Sequence, residues 1–237
     1  MSVGVFLSAS GARITFHAGV MDALRELGIV PDRFVGASGG SIQAVLSAAG
    51  CRGKLWFDER IPISRDNAFI RPPLLRESLK RILDETFLAE YGGHLSLDEI
   101  SRRVNILSTQ KFFRAACFDD FSSLEDLQLK LLASSSLPGF TTFPVKIGQK
   151  YYADGIFGYF YQRLDFRKLL QTELIIASLA LPTNYNSRRN GNTFIFTIRR
   201  GKYNPANVVY IREEDAIRFY EDGYEQVMHS ALREMVH

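Results

Sequence analysis

The sequence predicts an α/β fold of three layers, α/β/α, with a mainly parallel central sheet. Three observations carry that expectation. Val3 to Leu7 is a short apolar run that ends in a small, polar turn, Ser8-Ala9-Ser10-Gly11, as a buried strand does when it leaves a sheet. Phe16, Val20, Ala23, Leu24 and Leu27 then recur at helical spacing until Gly28 stops them. Phe34-Val35, closed by Gly36, and the helical run Ile42 to Ala49 repeat the pair. Strand, helix, strand, helix within fifty residues calls for parallel strands with helices laid on their faces.

The rest of the chain continues the pattern with one change of character. Residues 58–93 hold Pro62, Pro72 and Pro73, then a charged amphipathic helix from Leu74 to Tyr91 that Gly92-Gly93 ends. This stretch reads as an insertion over the core. Val104 to Leu107 and Phe112 to Cys117 are expected strands, and Leu124 to Ser134 a helix stopped near Pro138. Phe143 to Ala153 reads as a hairpin around Gly148 that leads into Asp154-Gly155. Leu174 to Leu179 and Phe194 to Ile198 are further strands, with a polar surface loop from Asn184 to Asn192 between them. Glu213 to Met235 reads as one long final helix. No internal repeat, low-complexity tract or Pro/Ser linker divides the chain, so residues 1–237 are expected to form a single domain.

Composition narrows the function classes. Of 237 residues, 46% are hydrophobic and 23% charged, enough apolar material for a real core. A formal charge of +3 is too small to imply nucleic acid binding. Cys51 and Cys117 form neither a disulfide framework nor a metal spacing, so a cytoplasmic, reduced protein is the simplest expectation. The first residues lack a basic segment and their apolar run is interrupted by Ser8, Ser10 and Arg13, unlike a signal peptide. No run approaches the ~18 apolar residues of a membrane span, so any contact with lipid is expected to be peripheral.

The strongest chemical signal is Gly36-Ala37-Ser38-Gly39-Gly40, a G-x-S-x-G pentapeptide between an expected strand and an expected helix. A serine on so sharp a turn projects its hydroxyl above the sheet edge. Flanking glycines allow the backbone to turn, and the following helix favours negative charge near its N-terminus. Such a serine needs a base. Among His17, His94, His229 and His237, only His229 could serve a histidine triad, yet it lies inside the final helix. Asp154, just after a strand and before Gly155, is the other candidate, although on spacing alone Asp-Gly reads as a turn.

Three segments in order resemble the patatin-like phospholipase family. Ala9-Ser10-Gly11-Ala12-Arg13 with His17-Ala18-Gly19-Val20 resembles the family's glycine-rich oxyanion loop, and Gly36-Ala37-Ser38-Gly39-Gly40 its nucleophile elbow. Ala133-Ser134-Ser135-Ser136-Leu137-Pro138, a hairpin, and Asp154-Gly155 resemble the segment that bears its aspartate. The resemblance implies a Ser38–Asp154 dyad acting on a lipid or phospholipid ester without a cofactor or metal. It further implies an oxyanion hole from the amides of Gly11, Ala12 and Gly39, and an Arg13 that braces the loop or adds positive potential. Ser134, Ser135 and Ser136 read as tightly packed small residues. Two departures bear on the site's shape: in the loop, Ala9 and Ser10 stand where the family commonly has glycines and Ile14 where it has glycine after the arginine, and Ile156-Phe157-Gly158-Tyr159-Phe160 replaces a glycine and an asparagine-proline element. A positive φ at Ile14 would be strained.

In the helix from Leu74 to Tyr91, Leu75, Leu79, Ile82, Leu83 and Phe87 form an apolar stripe beside Arg76, Lys80 and Arg81. The stripe suits either a lid that parts at a lipid surface or, more simply, packing on the core. Phe157 to Tyr161 suits an acyl pocket or core filling equally, and Arg188-Arg189 and Arg199-Arg200-Lys202 read as solvated loop charges. Two alternatives stand beside the dyad hydrolase: a non-catalytic lipid-binding or interaction module on the same fold, and a triad esterase using His229.

Overall fold

The computed structural model describes residues 1–58, 72–111, 114–139, 141–162, 166–180, 188–198, 207 and 211–235. The chain opens with β1 (Val3–Leu7), a single 3-10 turn (Gly11–Arg13), α1 (Ile14–Glu26), β2 (Arg33–Ala37) and α2 (Gly39–Ala48). Three helices follow, α3 (Pro72–Ile82), α4 (Glu85–Glu90) and α5 (Leu97–Arg103), then β3 (Val104–Gln110), β4 (Arg114–Phe118) and α6 (Leu124–Ser134). The second half holds β5 (Val145–Ile147), β6 (Lys150–Asp154), α7 (Gly155–Gln162), α8 (Phe166–Leu170), β7 (Leu174–Leu179), β8 (Arg188–Asn190) and β9 (Thr193–Thr197). It ends in α9 (Glu213–Met228) and α10 (Ala231–Glu234).

The fold is α/β with a mostly parallel sheet, in the order β5-β6-β3-β2-β1-β7-β9-β8, and β4 also pairs with β3. The run from β3 to β9 is parallel, while β4, β6 and β8 join antiparallel. Alternation along the strands builds the two faces. Val5, Leu7, Phe34, Ile106, Leu174 and Ile176 join a large core with α1, α2, α6 and α9. Phe6, Val35, Ala37, Leu107, Ile175 and Ala177 point the other way, against Ile156 of α7 and Leu169 and Leu170 of α8.

One detail of the sheet positions everything that follows. Ile106 and Leu107 of β3 pair with both β2 and β4, whereas Ser108 and Thr109 pair with both β4 and β6. A strand has two edges, so β2 and β6 must share one. β6 takes over where β2 ends: Ala37 lies opposite Leu107, and Asp154 opposite Ser108, the next residue along.

Several expectations need correction. The helix read from Leu74 to Tyr91 is two helices, α3 and α4, because Asp84 turns extended and its carboxylate caps α4 by accepting the Phe87 N–H at 3.1 Å. The apolar period survives the break, which is why the sequence hid it: Leu75, Leu79, Ile82, Leu83 and Phe87 are all buried in the main core. The stripe packs rather than faces solvent. Residues 59–71, which open the expected insertion, lie outside the described residues. The final helix likewise breaks after Met228, where Ser230 caps α10 through the Leu232 N–H. Arg188-Arg189 belong to an edge strand, β8, rather than to the expected loop, while 184–187 and 199–202 lie outside the described residues. Ser96 and Glu99 mark the start of α5, a helix the periodicity did not suggest. Among the described residues no helix is long and apolar enough to cross a membrane.

Candidate active site

Ser38 occupies the sharp turn between β2 and α2 with φ 53° and ψ −129°, a left-handed backbone that costs a non-glycine residue of order 1–3 kcal/mol. Both of its main-chain groups are held. Its N–H donates to Ser134 Oγ at 2.9 Å, and its carbonyl accepts from Ser41 N at 2.9 Å and Ser41 Oγ at 2.6 Å. Ser134 Oγ in turn donates to Leu107 O at 2.6 Å, so α6 ties the turn to β3. A serine in this N-cap position ordinarily caps the helix with its side chain. Ser38 does not. Its hydroxyl instead lies near enough to Asp154 to favour that carboxylate's charge, because the takeover of the β3 edge by β6 brings Asp154 alongside.

Asp154 is as firmly placed. Its N–H donates to Ser136 O at 2.7 Å, its carbonyl accepts from Thr109 Oγ1 at 2.6 Å, and its Oδ1 accepts the Ile156 N–H at 2.9 Å. The carboxyl is 3% exposed. Burial disfavours its charge and lifts its pKa to about 6, against the opposing pull of the Ile156 amide and the Ser38 hydroxyl. A carboxylate so tuned is a competent proton acceptor near neutral pH.

The loop after β1 lies against the first turn of α2. Gly11 takes φ 56°, while Ile14 is helical at φ −56°, so the position that needs a glycine has one and Ile14 carries no strain. A Cβ on Gly39 would overlap Ser10 Oγ and come within 3.0 Å of Gly11 O. Only glycine lets the two backbones approach so closely. In the first turn of α2 the Ser41 N–H is taken by Ser38 O, while Gly39 and Gly40 pack directly against this loop. Gly155 meets a similar constraint, since a Cβ there would overlap Leu107 O. It opens α7, so the segment that departs from the family's pattern after Asp154 is helical.

Arg13 and His17 stand behind the loop. Arg13 is buried, donates to Ala180 O at 3.4 Å and lies 5.9 Å from the Phe219 ring, with burial lowering its pKa to about 10. His17 Nε2 donates to Ser8 O at 2.9 Å, and Nδ1 accepts from Ser178 Oγ at 2.7 Å; full burial lowers its pKa to about 4 and keeps it neutral. These two side chains brace the loop against β7 and α9. His229 ends α9 as its C-cap, and its N–H bonds Glu225 O within that helix. Phe157 and Gly158 lie on α7, and the side chains of 159–161 lie outside the described residues.

Sequence reading missed two contributors. Ser134 looked like a small packing residue, and all three serines of its run are fully buried, but its hydroxyl also links the Ser38 turn to β3. Thr109 holds the Asp154 carbonyl and accepts the Gly158 N–H at 2.7 Å. A polar side chain at a core position was the only available signal for either.

The comparisons with known proteins bear on the family and the fold. The family model described as "Patatin-like phospholipase" matches residues 5–160. The chain belongs to the patatin-like phospholipase family. Among solved structures, VipD from Legionella pneumophila superposes with a TM-score of 0.60 at 14% identity, over 99% of this chain and 67% of that one. The type III effector ExoU of Pseudomonas aeruginosa superposes with a TM-score of 0.50 at 18% identity, over 99% of this chain. At such identities the likeness is one of fold. This patatin-like chain spans about half, 54%, of the ExoU chain. No curated protein matches it in sequence.

Proposed function

We propose that this patatin-like protein is a serine acyl hydrolase of phospholipase A or lysophospholipase type, with Ser38 as nucleophile and Asp154 as base. The observation that carries the reading is the meeting, at one edge of β3, of a serine held on a strained turn with a buried aspartate raised to about pKa 6. Family membership supports lipid esters as the substrate class.

In the proposed reaction, Ser38 Oγ attacks the ester carbonyl carbon and its proton passes to Asp154. The carbonyl oxygen takes the negative charge, met by the amides of Gly11, Ala12 and Gly39, a hole whose loss costs about 100- to 1000-fold. Collapse expels the alcohol, which leaves with the proton from Asp154, and the acyl group stays on Ser38. Asp154 then deprotonates a water that attacks the acyl-enzyme, and the acid departs as Ser38 regains its proton.

The test is intact-mass labelling with a fluorophosphonate in the presence of vesicles. Wild type should gain one adduct, Ser38→Ala none, and Asp154→Asn should label at least about 100-fold more slowly. Labelling that persists in Ser38→Ala, or at an undiminished rate in Asp154→Asn, would overturn the dyad. The triad alternative predicts that His229→Ala abolishes turnover while Asp154→Asn does not. The non-catalytic alternative drew its support from the unusual loop around Ile14 and from the lost glycine after Gly155; of these, Ile14 is helical and unstrained.

A further inference from the structure

The apolar stripe of α3 is packed inside, so lipid must be met by another surface. The opposite face of α3 carries Pro73, Arg76, Glu77 and Lys80, which wall a groove of about 490 Å³ closed by Leu132 of α6 and by Thr142. Arg76 and Lys80 stand one helical turn apart and are both exposed. The two helices are tied at this place by Gln128 Nε2, which donates to Arg76 O at 3.0 Å. Among the described residues of its lining, two cations against one carboxylate leave a single positive charge, the complement of a phosphodiester.

Next to Thr142 stands Phe143, 86% exposed, more than any other large apolar side chain among the described residues. Its loop is braced. Ser136 Oγ donates to Phe143 O at 2.7 Å, Thr141 Oγ1 donates to Ser135 O at 2.6 Å, and the Leu137 N–H donates to Thr141 Oγ1 at 2.7 Å. An aromatic ring held out into water on a fixed loop, beside a cationic groove, is the pairing of apolar wedge and positive charge that suits a bilayer interface. The same segment serves the candidate site: Ser136 O holds the Asp154 N–H, and Leu132 lies two residues before Ser134.

We infer that the groove of Arg76, Lys80 and Thr142, with Phe143 beside it, docks the protein on an anionic phospholipid bilayer. A lipid phosphate sits between Arg76 and Lys80, and the Phe143 ring enters the interface. A soluble phosphate would use the two cations and leave the ring without a role. The inference deepens the lipid-hydrolase reading and rests on it for its purpose, but its test reads binding alone.

Sedimentation with vesicles of phosphatidylcholine, with and without phosphatidylglycerol, on the Ser38→Ala protein keeps the lipid intact. Binding should require phosphatidylglycerol and weaken as salt rises. Adding Arg76→Glu and Lys80→Glu should weaken it by about thirtyfold or more, and adding Phe143→Ser by about tenfold. All three side chains are exposed, so thermal unfolding should be unchanged. Equal binding of parent and variants, binding indifferent to phosphatidylglycerol, or no vesicle binding would each overturn the proposal. So would inorganic phosphate bound through Arg76 and Lys80 while Phe143→Ser leaves vesicle binding intact, which would mark a soluble-anion site. Hydrolysis of a short soluble ester by the variants with Ser38 restored separates the two readings. If vesicles bind as expected and no ester is cleaved, the hydrolase reading fails and the docking surface stands.

Discussion

Asp154 is buried in a place that disfavours its charge, and that has opposite consequences for activity and stability. The base must be ionised, so kcat/KM should rise with pH through about 6 and level off above it. Stability runs the other way. A carboxyl whose folded pKa is raised from 3.8 to about 6 binds its proton more tightly when folded, so its contribution is full below 3.8 and is lost as pH rises through 6. The loss is about 3 kcal/mol by linkage. Asp154→Asn, neutral at every pH, should therefore be more stable than wild type by up to about that amount near pH 8. Denaturant titrations should show the gain shrinking toward zero near pH 4. A gain independent of pH would refute the buried, ionised carboxylate.

Elements matter here for what they hold still. α6 contributes one hydroxyl, Ser134 Oγ, that accepts the Ser38 N–H and donates to Leu107 O. Removing it leaves two buried main-chain groups without that partner, at about 1–3 kcal/mol each. Ser134→Ala should lower both stability and kcat, with little change in KM, because the turn that aims the hydroxyl loosens while the surface that meets substrate does not. α3 offers a separate test. Leu79 is fully buried, and Leu79→Ala should cost about 2–5 kcal/mol in a denaturant melt. A helix acting as a free lid would tolerate the same truncation with little loss of stability.

At the scale of the whole molecule, the long pairing of α1 with α9 closes the fold behind the candidate site. Two glycines permit it: a Cβ on Gly19 would overlap Tyr220 O, and one on Gly223 would overlap Phe16 O. Both obstacles are main chain and cannot rotate away. Gly19→Ala should force the helices apart and cost about 1–3 kcal/mol or more in thermal unfolding. Arg13 lies against Phe219 of α9, so the separation should also slow fluorophosphonate labelling of Ser38, at a distance from the reacting atoms.

What the sequence determined by itself was local. The order β1, α1, β2, α2, the sharp turn at Ser38 and the hairpin ending at Asp154 all follow from apolar period, glycine placement and chain-neighbour chemistry, and the bounds of β1, α6 and β7 were read directly. Breaks at Asp84 and after Met228 escaped because a capping side chain can interrupt a helix without disturbing its apolar period. Core packing was the simpler reading of the stripe with Leu75 and Leu79 and is what the structure has, but an amphipathic stripe states only that it will be buried and not against what. The meeting of Ser38 with Asp154 belonged to the tertiary structure. Residues more than a hundred positions apart were joined because β6 occupies the edge of β3 where β2 stops. Sheet register is a property of paired strands, so no single strand's sequence contains it.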